Sequence, residues 1–198
     1  MKKNLIRISI LIIIAFIGIS YFKGNDEPSY GLVVNGKTID VIDMHLHTGT
    51  WDALTEPYKE RYSERVPKPF KFLMSSLLGN GLTSEGILKQ MDNAGIRRAG
   101  IFAVYSPDTT GNASNEFLNQ QIKNHPERMF GFFSIRTDYW NINKDKELKK
   151  LENDLLKFKS FGIKLAHAHQ QMRLDDKRFD GIYEIAGRLG KPIYIHTG

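Results

Sequence analysis

The sequence contains no cysteine among its 198 residues. That absence excludes a disulfide-stapled fold, a thiolate metal site, a cysteine nucleophile and a lipid-modified cysteine anchor. A metal site in this chain must therefore be built from histidine and carboxylate side chains. Disorder over the whole length is excluded as well, because 41% of the residues are hydrophobic and 11% are aromatic, as in ordinary globular domains.

A basic surplus on the folded part of the chain is also missing. Lys and Arg outnumber Asp and Glu by 28 to 22, but Lys2, Lys3, Arg7 and Lys23 all precede the first acidic residue, Asp26. Without these four, 24 basic residues face 22 acidic ones. A nucleic-acid-binding face needs basic residues gathered on the folded domain. The charge distribution therefore predicts no nucleic-acid partner.

The longest apolar run is shorter than an ordinary transmembrane span. Residues 8–22 (ISILIIIAFIGISYF) follow a positively charged start and precede the polar stretch KGNDEPS. Such a run matches a signal-peptide core and falls below the roughly 20 residues that cross a bilayer comfortably. We expect residues 1–23 to be a signal peptide or a retained N-terminal membrane anchor. The remainder is then expected on the periplasmic side of the inner membrane, anchored or soluble after cleavage.

The rest of the sequence predicts an α/β fold. Residues 24–38 are assigned to a linker and a short hairpin that turns at Asn35-Gly36. From residue 39 to residue 198, five β-rich runs alternate with helical patterns, which is typical of parallel βα units. The helices are predicted at residues 83–94, 114–124, 147–161 and 178–190. Residues 48–82 form an irregular, aromatic-rich insertion that suits a lid over a binding site.

Histidines at two strand ends predict a metal centre. His45 and His47 are two residues apart on the first long strand, so they share a face with Asp43. The carboxyl ends of parallel strands are where α/β folds build their sites, and two imidazoles there can converge on one ion. His196 closes the fifth strand at the matching level and is the third expected ligand of a divalent metal.

Other polar residues near strand ends predict contacts with a small-molecule substrate. Lys164 lies on one face of the fourth strand, and His167 and His169 lie on the other or in the following loop. If Lys164 faces inward it can bind an anionic group or, as a carbamate, bridge two metals; if the histidines face inward they can contact substrate. Arg136, after the third strand, is a candidate carboxylate clamp, whereas His125 is assigned a structural role in a turn.

Four motifs, in consistent order, resemble the amidohydrolase superfamily: VIDMHLHTG, NHPERMFGFFSI, GIKLAHAHQ and GKPIYIHTG. The resemblance runs from residue 39 to residue 198 and is closest to the amidohydrolase-related (amidohydrolase 2) group of metal-dependent hydrolases and decarboxylases. It implies a distorted (β/α)8 TIM-type barrel with a divalent metal, usually zinc, at the carboxyl end of the strands. The family's first-strand pair maps onto His45 and His47, and its fifth-strand ligand maps onto His196.

The sequence departs from the family pattern at its end. The family's sixth-strand His and eighth-strand Asp have no position before Gly198, so we expect only the first five βα units in this chain, with the catalytic base beyond Gly198. The resemblance implies that an intact protein activates water at the metal. Such a protein would hydrolyse an amide- or ester-type bond or decarboxylate a small carboxylated substrate.

Two other functions remain open, and a homo-oligomer is compatible with either of them. Metal-dependent phosphoesterases of the polymerase and histidinol phosphatase type, or TatD-like nucleases, also begin with His-x-His on a first barrel strand. Their chemistry usually recruits more histidines and carboxylates than these five strands offer. A catalytically incompetent, membrane-tethered fragment that keeps the metal motif is the other alternative.

Overall fold

The computed structural model describes residues 29–64, 66–169 and 172–196. The predicted export or anchor segment, residues 1–23, lies outside these residues. The strands are β1 Leu32–Val34, β2 Lys37–Ile39, β3 Ile42–His47, β4 Arg98–Phe102, β5 Val104–Ser106, β6 Gly111–Ala113, β7 Met129–Phe133, β8 Gly162–Leu165 and β9 Ile193–Ile195. A parallel five-stranded sheet with the order β3-β4-β7-β8-β9 forms the centre of the described part.

Helices alternate with the parallel strands, as the sequence predicts. The α-helices are α1 Glu56–Ser63, α2 Met74–Gly81, α3 Ser84–Asn93, α4 Asn115–Ile122, α5 Trp140–Lys157 and α6 Asp180–Arg188. Short 3₁₀ helices cover Trp51–Ala53, Lys68–Leu73 and Lys177–Phe179. Within the described residues, no helix is both long and apolar enough to cross a membrane.

Side-chain caps fix the starts of two predicted helices. The hydroxyl of Thr83 accepts the backbone N–H of Gly86 at 3.2 Å at the start of α3, and Gly95 follows the helix with a φ of +66°. The hydroxyl of Ser114 likewise accepts the N–H of Phe117 at 3.1 Å at the start of α4. Because such caps satisfy otherwise unpaired donors, they are readable from sequence.

Helix α5 begins earlier than the leucine spacing predicts. Its first residue, Trp140, donates its indole N–H to the carbonyl oxygen of Arg178 at 2.9 Å and packs against Phe179 at 5.2 Å between ring centroids. Trp140 and Phe179 are both buried. The first residue of α5 is therefore fixed by a contact with a segment distant in sequence, and the local sequence pattern does not predict this contact.

The outer face of the sheet carries the main hydrophobic core. Side chains of the central strands pack there against apolar residues of the surrounding helices. This cluster includes Ala99, Ile101, Met129, Phe133, Ile163 and Leu165 from the strands, and Ile87, Met91, Leu118, Leu151, Leu155, Ile182 and Ile185 from the helices. Burial of both faces of a parallel sheet is the usual arrangement when helices form the crossovers.

The inner face carries a layer of aromatic rings. The ring of Phe102 lies 5.3 Å from that of Phe132 and 4.9 Å from that of Tyr194, measured between centroids. Two glycines leave room for this layer: a Cβ on Gly100 would lie 3.0 Å from the Phe132 ring, and a Cβ on Gly162 would lie 2.9 Å from it. Large and small residues thus alternate around the inside of the curved sheet.

The insertion predicted as irregular is instead largely helical. It contains α1, α2 and two of the 3₁₀ helices. The insertion docks on a hairpin of β5 and β6 that the sequence pattern did not predict, through a bridge between Leu54 and Gly111. Gly111 has a φ of +120°, and a Cβ there would lie 2.1 Å from the carbonyl oxygen of Ala53. Only glycine permits the two segments to approach this closely.

A buried polar cluster joins α4 to the end of β7 and to α5. The amide of Asn115 donates to the carbonyl oxygen of Ser134 at 3.1 Å and to the carboxylate of Asp154 at 2.9 Å. Its oxygen accepts the backbone N–H of Ser134 at 2.9 Å. Lys150 adds an ion pair to Asp154 at 2.7 Å. Asn115 therefore holds the chain in place where it leaves β7.

Replacing Asn115 by alanine is expected to lower the free energy of unfolding by about 2–4 kcal/mol, because the buried Ser134 N–H loses its acceptor and Asp154 loses a donor. Urea denaturation followed by circular dichroism measures this change. Gln120→Ala, an exposed position on the same helix, is the control and should change stability by less than about 0.5 kcal/mol. Equal effects of the two substitutions would show that the cluster adds nothing specific.

Candidate metal centre

A pocket of about 350 Å³ opens at the carboxyl end of the parallel strands. One side is formed by polar residues of the barrel strands and their following loops, and the other by the insertion and the β5–β6 hairpin. The polar wall comprises His45, His47, Lys164, His169 and His196. The apolar wall includes Leu54, Tyr58, Tyr62, Leu78, Leu82 and Val104.

Two of the predicted ligands face each other across a short distance. The Nε2 atoms of His45 and His47 are 3.2 Å apart. A β-bulge lies between Asp43 and Leu46 where β3 pairs with β4. Asp43 is not part of the pocket lining, although strict alternation predicts that it shares the histidine face; its carboxylate accepts the backbone N–H of His45 at 2.8 Å.

The histidine pair fits a divalent ion. A zinc–nitrogen bond measures about 2.0–2.1 Å, so two nitrogens 3.2 Å apart can both reach one ion. The pKa values of His45 and His47 are both lowered, first by desolvation in the pocket and next by neighbouring positive groups, Lys164 among them. Neutral imidazole is the form that binds metal. Both side chains remain open to solvent, which leaves an ion a path to them.

The third predicted ligand lies in the same pocket beside another histidine. The rings of His196 and His169 are stacked, with centroids 4.7 Å apart. In the part of the chain that the structure describes, no three His, Asp or Glu side chains form a group that could hold an ion. The structure therefore brings His45 and His47 together as a pair and places His196 on the same pocket wall.

Lys164 faces inward, as one of the two alternatives left open by the sequence requires. Lys164 is only 2% exposed, and its ammonium has no hydrogen-bond acceptor among the described residues. The nitrogen lies 4.5 Å from the ring centroid of Phe102 and 4.6 Å from that of Tyr194. Burial lowers the pKa of Lys164 to about 8. Because a buried ammonium without an acceptor is unfavourable and the two aromatic faces compensate for this only in part, an anionic group bound beside Lys164 would be stabilised.

His169 also reaches the pocket, although strand alternation places it opposite Lys164. Strand β8 ends at Leu165, so the alternation of faces no longer applies to the turn that follows. His167, in the same turn, lies outside the pocket. It is buried, and its Nε2 lies 3.2 Å from the hydroxyl of Tyr183 on α6.

Arg136 lies outside the pocket as well. It borders a separate cavity of about 250 Å³ between the β5–β6 hairpin and α5. Its guanidinium makes a bidentate ion pair with Asp138, with hydrogen bonds of 3.1 and 2.7 Å, and lies 4.9 Å from the ring centroid of Tyr105. The donors predicted to bind a substrate carboxylate are therefore engaged by a neighbouring residue of the chain.

The sequence assigned no role to Tyr194, which contacts two residues of the polar wall. Its hydroxyl lies 3.4 Å from Nδ1 of His45, and its ring faces Lys164. The available signal was its position two residues before His196, since alternation along a strand predicts that both side chains point the same way.

Comparisons with known proteins give matches in structure alone. Neither a protein-family model nor a curated protein sequence matches the chain. A 5-carboxyvanillate decarboxylase from Novosphingobium aromaticivorans, solved with manganese and 4-hydroxy-3-methoxy-5-nitrobenzoic acid, is similar with a TM-score of 0.61 and 16% identity; the match covers 87% of this chain and 54% of that one.

Two other solved structures agree with this similarity. An uncharacterised TIM-barrel protein from Bordetella bronchiseptica has a TM-score of 0.59 and 18% identity, covering 81% of this chain and 56% of that one. A 4-oxalomesaconate hydratase from Rhodopseudomonas palustris has a TM-score of 0.52 and 18% identity, covering 79% and 52%. The chain thus spans about half the length of the structures it matches. The predicted fold, the first five βα units of a (β/α)8 barrel, is confirmed, and the resemblance to the amidohydrolase superfamily agrees with these neighbours at the level of the fold.

Proposed function

We propose that this chain carries the metal-binding residues of a metal-dependent enzyme of the amidohydrolase type, which hydrolyses an amide- or ester-type bond or decarboxylates a small carboxylated substrate. The observation that carries the proposal is the pair of Nε2 atoms of His45 and His47, 3.2 Å apart and facing a pocket at the carboxyl end of a half barrel. Bound manganese in a structural neighbour supports a divalent ion without selecting zinc.

The residues of the pocket would have two roles, which are holding the ion and binding the substrate. His45 and His47 would hold the ion, with His196 on the same wall. A divalent ion in such a site supplies a Lewis acid for a carbonyl or carboxylate oxygen of the substrate. The ammonium of Lys164 would hold an anionic group of the substrate, and His169, stacked on His196, lies within the same polar wall.

The lining also indicates what kind of molecule fits. The polar wall in the described residues is made of one lysine and four histidines, with no carboxylate among the lining residues. Adding a divalent ion makes this wall strongly positive, which favours an anionic substrate. The opposite wall of leucine, valine and tyrosine side chains favours an apolar or aromatic body. A volume of about 350 Å³ suits a small molecule rather than a polymer.

The test measures metal content and turnover together. The 198-residue chain is loaded with Zn²⁺ or Mn²⁺, dialysed and analysed for metal, then incubated with carboxylated aromatics, amides, lactones and a phosphate ester. We expect close to one ion per chain, removed by a chelator. Metal-dependent release of CO₂ or of a hydrolysis product should be slow, because no carboxylate among the described lining residues can act as a general base. Turnover of the phosphate ester alone would favour the phosphoesterase alternative. Bound metal without any turnover would favour a non-catalytic chain, and failure to bind metal would refute the proposal.

A further inference from the structure

Strand β9 carries a residue that touches the first predicted ligand, and the third predicted ligand, His196, directly follows this strand. The sheet curves enough for the side chain of Tyr194 on β9, at one end of the strand order, to reach His45 on β3, at the other end. The two rings meet edge to face, with centroids 5.4 Å apart.

We propose that Tyr194 is a positioning residue for the metal centre, whose hydroxyl orients the imidazole of His45 so that Nε2 faces the ion. The proposal rests on the metal assignment made for the proposed function. The contact that carries it is the 3.4 Å approach of the Tyr194 hydroxyl to Nδ1 of His45, whereas the other ring nitrogen, Nε2, faces His47.

The contact matters because the tautomer of His45 determines which of its ring nitrogens can bind an ion. A histidine that binds an ion through Nε2 carries its proton on Nδ1, and that N–H needs an acceptor. The hydroxyl oxygen of Tyr194 is in place to accept it, at the long end of the hydrogen-bond range. The bond would fix both the tautomer and the rotation of the His45 ring.

The position of the hydroxyl is itself fixed by packing. The Tyr194 ring lies 4.9 Å from the buried Phe102 ring and 6.0 Å from that of Phe132, between centroids. Lys164 lies over the face of the same ring, with its nitrogen 4.6 Å from the centroid. A ring held on several sides has little freedom to rotate, so its hydroxyl presents a fixed acceptor to His45.

The fold supplies a matched control. Tyr183 on α6 places its hydroxyl 3.2 Å from Nε2 of His167, so it also pairs a tyrosine with a histidine. That pair lies outside the metal pocket. Tyr194→Phe and Tyr183→Phe therefore each remove a hydroxyl from a tyrosine–histidine contact and keep the aromatic ring in place. Tyr183→Phe also removes a 3.3 Å hydrogen bond to the carbonyl oxygen of Leu174.

The experiment measures metal affinity and histidine tautomer in the full chain. Zn²⁺ affinity is determined by competition with a chromophoric chelator for the unmodified chain and both variants, and Co²⁺ loading is followed by visible absorption. Tyr194→Phe should weaken Zn²⁺ binding about tenfold to a hundredfold and alter the Co²⁺ spectrum, whereas Tyr183→Phe should change neither. In the metal-free chain, ¹⁵N NMR should show His45 protonated on Nδ1, with Tyr194→Phe shifting it toward the Nε2–H tautomer.

The possible outcomes separate this inference from the function on which it rests. Equal Zn²⁺ affinity and an unchanged His45 tautomer in Tyr194→Phe would overturn the positioning role while leaving the metal centre intact. Equal weakening by both substitutions would also overturn it, because loss of packing would then explain the effect. If the unmodified chain binds no ion, the metal centre itself fails, and the positioning role fails with it.

Discussion

Replacing His47 by alanine should remove most of the divalent ion bound by the chain. The substitution deletes one of the two Nε2 atoms that lie 3.2 Å apart, and His45 is left without its paired ligand. Loss of a residue that only hydrogen-bonds to a metal ligand already costs about tenfold to a hundredfold in affinity, so we expect loss of the ligand itself to cost at least a hundredfold. The metal content after equilibration with one equivalent of Zn²⁺ and dialysis measures the effect.

His125→Ala is the control for this experiment. His125 lies in the turn before β7, where its backbone N–H donates to Ile122 and its carbonyl accepts from Met129 at 2.8 Å. Because its side chain does not line the pocket, its removal should leave the metal content unchanged. An unchanged stoichiometry in His47→Ala would show that the facing nitrogens are a hydrogen-bonded pair and not a metal site.

Replacing Lys164 by methionine should weaken the binding of carboxylate ligands by roughly tenfold to a hundredfold, which corresponds to the 1.5–3 kcal/mol of a hydrogen bond to a charged group. Methionine keeps a long side chain between Phe102 and Tyr194 but removes the buried ammonium. Benzoate binding to the Zn²⁺-loaded chain, measured by isothermal titration calorimetry, gives the change. Lys146→Met, an exposed lysine on α5, is the control and should bind benzoate normally.

The pH dependence provides a second check on Lys164. Burial lowers its pKa to about 8, so the side chain is charged below that pH and neutral above it. Benzoate affinity of the unmodified chain without added metal should therefore fall as the pH rises through about 8, and metal-free Lys164→Met should show no such fall. A parallel fall in both proteins would assign the titration to another group and remove the lysine from the anion site.

Local rules of sequence determined much of this fold. Hydroxyl caps at Thr83 and Ser114, and Gly95 after α3, predicted helix boundaries because capping bonds form within a few residues. Alternation along β3 predicted that His45 and His47 share a face, and their nitrogens indeed lie together. Helix caps and strand alternation depend on residues that are close in sequence, so both can be predicted from the sequence of a single chain.

Tertiary structure decided which polar residues reach the pocket. Alternation separates Lys164 from His169, yet both line the pocket, because the register of β8 with its neighbours ends the strand at Leu165. Arg136 follows a strand end as predicted, but a nearby Asp138 engages it outside the pocket. The residue at which a strand ends and the partner that an arginine binds depend on how separate segments pack. Neither can be predicted from residue spacing in the sequence.

The role proposed for Tyr194 has the same origin. The sequence placed Tyr194 on the face of His196, but its contact with His45 joins strands at opposite ends of the described sheet, 149 positions apart. Curvature of the sheet produces that contact, and Phe102 and Phe132 pack against each other inside the curve, where Gly100 and Gly162 leave room for the Phe132 ring. The sequence by itself therefore predicted the strand that carries His45 and His47, whereas only the curved sheet brought Tyr194 and Lys164 together beside them.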